Sequence, residues 1–222
     1  MRLCCTRRVA VEETSRPAAR SAAVRTVRLL RGGTEGNERL TALTGTVLLG
    51  LLAVEGVTIL AIRPLLSLHV FIGLLLIPPV VLKLAATGYR FVRYYARDVE
   101  YVRKGPPVLL MRMLVAPGLV AATVGVFATG VALLVVGPGG GVILGLHKAS
   151  FVVWLVAFGI HVLAYALRTP ALVAADWGRA NGTAGAAVRY GVVALALVVG
   201  LIIAVAALPA AHPWLQWSGG DR

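Results

Sequence analysis

Five long apolar runs constrain this chain more than any other feature. They fall at about 41–62, 65–87, 108–136, 142–167 and 187–208. Each is long enough to cross a hydrocarbon core of ~30 Å at a rise of ~1.5 Å per residue. A backbone in lipid must satisfy its own N–H and C=O groups, so only helices or closed barrels can span. The runs lack strand-like alternation, which selects helices over a barrel. Composition agrees: 59% of the 222 residues are hydrophobic and only 14% are charged, where a soluble domain carries about 25% charged residues. An ordinary soluble domain and a disordered chain are both excluded. The expected fold is an all-α membrane protein of five transmembrane helices. Two helical hairpins form a four-helix bundle over 41–168, and one extra C-terminal helix follows. Pro78-Pro79 is expected to bend the second helix and Pro117 the third.

Charge sets the expected orientation. Lys and Arg outnumber Asp and Glu by 22 to 9. On a membrane protein that excess fixes direction and attracts anionic lipid, so no nucleic acid is implied. Residues 1–40 hold nine arginines, among them Arg2, Arg7, Arg8 and Arg39, and read as a basic flexible cytoplasmic tail. The loop after the second run carries Arg90, Arg93, Arg97, Arg103 and Lys104, and is expected to continue the second helix along the interface. The loop after the fourth carries Arg168, Arg179 and Arg189, with a cytoplasmic linker at 169–186 and an interfacial helix around Ala171–Trp177. The connection between the first two runs holds only Arg63, and Gly137–Gly141 holds no charge. The positive-inside rule then places the N-terminus in the cytoplasm and the C-terminus outside a cell membrane. His212–Trp217, at the end of the 187–208 helix and its outer tail (187–222), reads as an aromatic interface anchor. Cys4 and Cys5 are adjacent, a poor geometry for a disulfide and too few ligands for a zinc site.

The first four runs read as two copies of one hairpin. Glu55-Gly56-Val57-Thr58-Ile59-Leu60 precedes a turn and Ser67-Leu68-His69. Thr129-Gly130-Val131-Ala132-Leu133-Leu134 precedes a Gly-rich turn and Gly145-Leu146-His147. Fourteen residues beyond each histidine stand Lys83 and His161. Parallel repeats place equivalent residues at equal depth.

Polar residues inside spans are costly and mark function. Here they are Glu55, His69, Lys83, Arg112, His147 and His161. His69 and His147 sit at matching depth near the outer ends of their helices. Two imidazoles so placed can hold an iron porphyrin from opposite faces, and they are the expected metal ligands. The alternative is that each is polar helix glue. No Cys-x-x-Cys-His is present, so the haem would be b-type. Arg63 and Lys148 are the cations available to its propionates. Gly73, and Gly145 or Ala149, would let a flat ring approach. His-x13-His at His147 and His161 is the spacing of a helix serving two stacked haems, but the partner position is Lys83, which leaves the second haem doubtful. His161 stays open between a haem ligand, a quinone contact and helix glue. Lys83 is expected to snorkel to the inner interface. Glu55, level with His69, is either a proton relay or a structural hydrogen bond. Tyr89, Tyr94 and Tyr95 read as an interface belt.

With Leu68-His69, Leu146-His147 and His161, the stretch 41–168 resembles the cytochrome b561-like membrane haem proteins. That resemblance implies a four-helix core, haem b, and electron traffic with quinone or a redox partner subunit. Lys83 departs from the family's double bis-histidine pattern. No Gly-x-Gly-x-x-Gly or P-loop is present, and no catalytic set stands out, so any flavin or nicotinamide chemistry would belong to another polypeptide. The expected function is membrane electron transfer by haem b. The alternative is a haem-free polytopic protein, a small transporter or assembly factor, with an intramembrane polar pathway.

Overall fold

The computed structural model describes residues 33–103, 111–165 and 185–217. Regular structure among the described residues is entirely helical, and five helices are long and apolar enough to cross a membrane. In chain order they are α1 (Gly33–Leu60), α2 (Ile62–Tyr95), a short α3 (Val99–Arg103), α4 (Ala116–Val136), α5 (Gly141–Tyr165), α6 (Ala186–Ala207) and a short α7 (His212–Gln216).

The first helix starts earlier than the apolar pattern predicts. Residues 33–40 belong to α1 and not to a tail, while residues 1–32 lie outside the described part. Glu35 in the first turn suits the positive end of the helix dipole. Asn37 donates its amide to the Ala86 carbonyl on α2 at 3.0 Å, which closes that end of the hairpin. At the other end a single residue, Ala61, separates α1 from α2, and Leu65 N–H closes back onto the Ala61 carbonyl.

Helix α2 is the centre of the molecule, packed between α1 on one side and α6 on another. It runs through Pro78 and Pro79. Neither proline has an N–H, so the Leu74 and Leu75 carbonyls lose their ordinary intrahelical donors. At Leu75 that carbonyl meets the backbone of α6 at Gly200, where even a methyl group would sit 2.4 Å from the oxygen. A bare Cα–H is the only group that fits there, and such contacts are weakly attractive. Ala204 and Ala211, both wholly buried, extend the same seam. Leu48, Ile72 and Leu76 form the apolar core of the α1–α2 pair, with Phe127 of α4 packed against it.

The α4–α5 hairpin is the second packed pair, joined to the first chiefly through α4 against α2. A π-helical turn over Met111–Val115 leads into α4. Pro117 falls in the first turn of α4, where a missing N–H is tolerated. It marks the register change from π to α and does not kink a helix interior. The side chain of Arg112 lies outside the described residues, as do Lys104, Arg168, Arg179 and the segment Ala171–Trp177.

Beyond its apolar run α2 continues as far as Tyr95, carrying Arg90 and Arg93; Arg97 then takes a left-handed backbone (φ 57°) and breaks the helix, at a strain of about 1 kcal/mol for a non-glycine residue. Asp98 then accepts the Glu100 N–H at 3.0 Å and pairs with Arg93, starting α3. Arg189 is not a loop charge but lies on α6, 6% exposed. The C-terminal Trp214 is more than an anchor in lipid, since its indole N–H donates to the Leu133 carbonyl at 2.9 Å and docks α7 on the end of α4.

Candidate functional site

The site is built from one histidine in each hairpin. His69 lies two turns into α2, and its ring turns back toward α1. Its Nδ1 stands 2.9 Å from Glu55 Oε1 and 2.9 Å from Thr58 Oγ1. The Thr58 hydroxyl already donates to the Glu55 carbonyl at 2.6 Å, so its oxygen can only accept from the ring. Beside a carboxyl oxygen and a hydroxyl oxygen that accept, Nδ1 is the nitrogen suited to carry the proton of a neutral ring.

His147 repeats this arrangement in α5. Its Nδ1 stands 3.0 Å from Thr129 Oγ1 and 3.1 Å from the Val126 carbonyl, both on α4. A carbonyl can only accept. The Thr129 hydroxyl donates to the Gly125 carbonyl at 2.6 Å, so its oxygen accepts too. Nδ1 of His147 is thus likewise the nitrogen suited to carry the proton. Glu55 and Thr129, which hold equivalent places in the two repeats, perform the same task of orienting a ring.

His69 lies on α2 and His147 on α5, two helices that are not among the closely packed pairs. Neither Nε2 has a hydrogen-bond partner among the described residues. His69 is 22% exposed and Glu55 13%; Thr58 is fully buried.

Glycines shape the site in ways the sequence left open. Gly130 lies under the His147 ring, since a Cβ there would come within 3.2 Å of Cε1. Gly73 faces Glu55 Oε1, which a Cβ there would meet at an ordinary contact distance of 3.5 Å. Gly145 has open space beside it.

Lys83 reaches toward the N-terminal half of α1. Its Nζ donates to the Thr41 carbonyl of α1 at 2.5 Å. Gly45, whose Cβ would stand 2.9 Å from that Nζ, leaves the room for it. The other two predicted residues sit on the rim. Arg63 is exposed in the first turn of α2, and Lys148, next to His147, is exposed on α5. Sequence reasoning missed Thr58, Thr129, the Val126 carbonyl, Gly130 and the Thr41–Gly45 seat of Lys83. The repeat held the signal for Thr129, because it aligns with Glu55.

Among the described residues no group of three or more His, Cys, Asp or Glu gathers as a metal cage. Fold and site together define a class: a helical protein with five helices fit to cross a membrane, with one histidine in each of two packed hairpins hydrogen-bonded to the preceding helix of its own hairpin. No family model, curated protein or solved structure matches the chain.

Proposed function

We propose that this is an integral membrane b-type haem protein that transfers electrons, with one haem between α2 and α5 held by His69 and His147. The observation that carries this reading is the seating of both rings, each with Nδ1 against polar groups of its own hairpin. Neither Nε2 is claimed by a hydrogen bond among the described residues. Metal-bound histidines characteristically spend their second nitrogen in this way, on a carboxylate, a carbonyl or a hydroxyl. A haem with two imidazole ligands exchanges one electron at its iron and leaves no open position for oxygen.

The chain's own residues supply orientation and charge. Glu55 and Thr58 fix the His69 ring, and Thr129 with the Val126 carbonyl fixes His147. Gly130 lets the second ring lie flat on α4. Arg63 and Lys148 offer cations to the propionates. The Lys83 ammonium, seated on the Thr41 carbonyl, is not offered to iron, so one haem and not two is the reading, and His161 keeps its alternatives. The arginines of residues 1–39 and those at the end of α2 support a cytoplasmic N-terminus in a cell membrane. A quinone or a redox partner subunit would exchange electrons with the site.

The haem-free reading draws support from the same contacts. Glu55 on His69 and Lys83 on Thr41 satisfy buried polar groups with no cofactor. A spectrum separates the two. The protein is expressed with haem supply, purified in detergent and reduced with dithionite. A low-spin b-type spectrum is expected, lost in His69→Ala and in His147→Ala and kept in Lys83→Ala. A colourless preparation, or both histidine variants retaining full haem, would overturn the proposal.

A further inference from the structure

A groove of about 450 Å³ opens where α2 ends, lined by Tyr94, Tyr95, Arg97, Val99, Val102 and Arg103. That volume falls within the range of small-ligand sites. We propose that it binds the phosphate headgroup of an anionic phospholipid.

Four observations carry this. The apolar run of α2 ends near residue 87 and the helix carries on through Arg90 and Arg93 to Tyr95, so the groove lies past the hydrocarbon run, on the side where headgroups stand. Its two cations are free to meet a phosphate: Arg97 and Arg103 are exposed, and neither has an ion-pair partner among the described residues. The nearby Arg93 is different, being paired with Asp98 and stacked over Tyr89. Beside the groove on α2, Phe91 (53%) and Val92 (63%) are exposed between Arg90 and Arg93, apolar surface for acyl chains. Finally, the backbone at Arg97 is left-handed (φ 57°). Glycine would take that conformation without strain, yet an arginine stands there, with its guanidinium at the groove. Guanidinium forks and tyrosine hydroxyls are the donors that suit phosphate oxygens. A zwitterionic lipid offers the same phosphate with its charge cancelled, so the groove favours net-anionic headgroups.

The strain separates binding from folding. In Arg97→Gly, relief of the left-handed backbone raises the unfolding temperature of the lipid-free protein, while affinity for anionic lipid falls. A purely structural arginine would move both the same way. Full-length protein in neutral detergent is titrated with short-chain phosphatidylglycerol, with phosphatidylcholine and with inorganic phosphate, and thermal unfolding is followed. Phosphatidylglycerol is expected to stabilise and the other two are not. Arg97→Gly and Arg103→Gln should each weaken the phosphatidylglycerol effect roughly five-fold. Arg90→Gln, which removes an equal charge from α2 outside the groove, should leave it intact. Equal effects of the two lipids, or a loss in Arg90→Gln matching that in Arg97→Gly, would overturn the site. Phosphate alone matching phosphatidylglycerol would overturn the lipid assignment in favour of a small-anion site.

Discussion

Replacing Gly200 by alanine tests how α2, the helix that carries His69, is held in place. An alanine Cβ at this position would lie 2.4 Å from the Leu75 oxygen and 3.2 Å from both the Leu75 carbonyl carbon and Cδ1. Carbon–oxygen contacts of this kind settle near 3.3–3.6 Å, so the deficit is roughly 0.9 Å. The obstacle is backbone, which no rotamer change can move aside. Helices α2 and α6 must therefore part by about that much, and a gap of ~0.5–1 Å forfeits a quarter to a half of each dispersion contact along the seam. Ala204 and Pro79, both buried, lie in the two helices affected. The expected cost is about 1–3 kcal/mol. Alanine also gains about 1 kcal/mol of helix propensity over glycine, which would blur the measurement. Gly191→Ala on the same helix removes that ambiguity, because nothing lies within 4 Å of its Cβ. Propensity cancels between the two variants. Gly191→Ala should match or exceed the parent in stability, and Gly200→Ala should fall about 1–3 kcal/mol below Gly191→Ala. Denaturant unfolding of helicity in detergent micelles reads the difference. Equal stability of the two alanine variants would refute the close crossing at Leu75.

Two further outcomes follow from the geometry. In Gly130→Ala the new methyl presses on His147 Cε1 from 3.2 Å and tilts the ring, so haem binding should weaken by up to roughly ten-fold with the ligand still present; Gly56→Ala, the repeat equivalent with nothing within 4 Å, should bind haem like the parent. Burial first, then Tyr89 and the Asp98 and Glu100 carboxylates against the opposing pull of Arg93, hold the Tyr101 phenol above its ordinary pKa of 10.0. Folding thus binds that proton more tightly, so the stabilisation is fully present below pH 10 and is lost as pH rises through the folded-state value. Absorbance of ionised tyrosine should show one late-titrating phenol, absent in Tyr101→Phe; co-titration of all the phenols would contradict the buried contact of α3.

The helical hairpins and the polar positions within them were legible without coordinates. Counting from each turn put His69 and His147 at equivalent places, and each ring hydrogen-bonds to the preceding helix of its own hairpin. What pattern could not reach was the partner of each side chain: the Thr41 carbonyl beside Gly45 for Lys83, and Thr58 and Thr129 for the two histidines. Arg97 reads as one more interfacial charge, and its backbone angle belongs to no local pattern.

The sequence by itself determined the helices and their number, because a backbone in hydrocarbon must close its hydrogen bonds within each segment. It also determined the duplicated placement of histidine, which is a matter of counting residues from a turn. Only the tertiary structure decided what each histidine ring meets, because Nδ1 stands against hydroxyls and carbonyls of a neighbouring helix, and both hydroxyls also bond within their own turns. Only the tertiary structure, too, brought α6 against the carbonyl that two prolines had set free, since the fit of Gly200 to Leu75 joins residues 125 positions apart. Local periodicity specifies a helix; the contact of two helices is a property of neither alone.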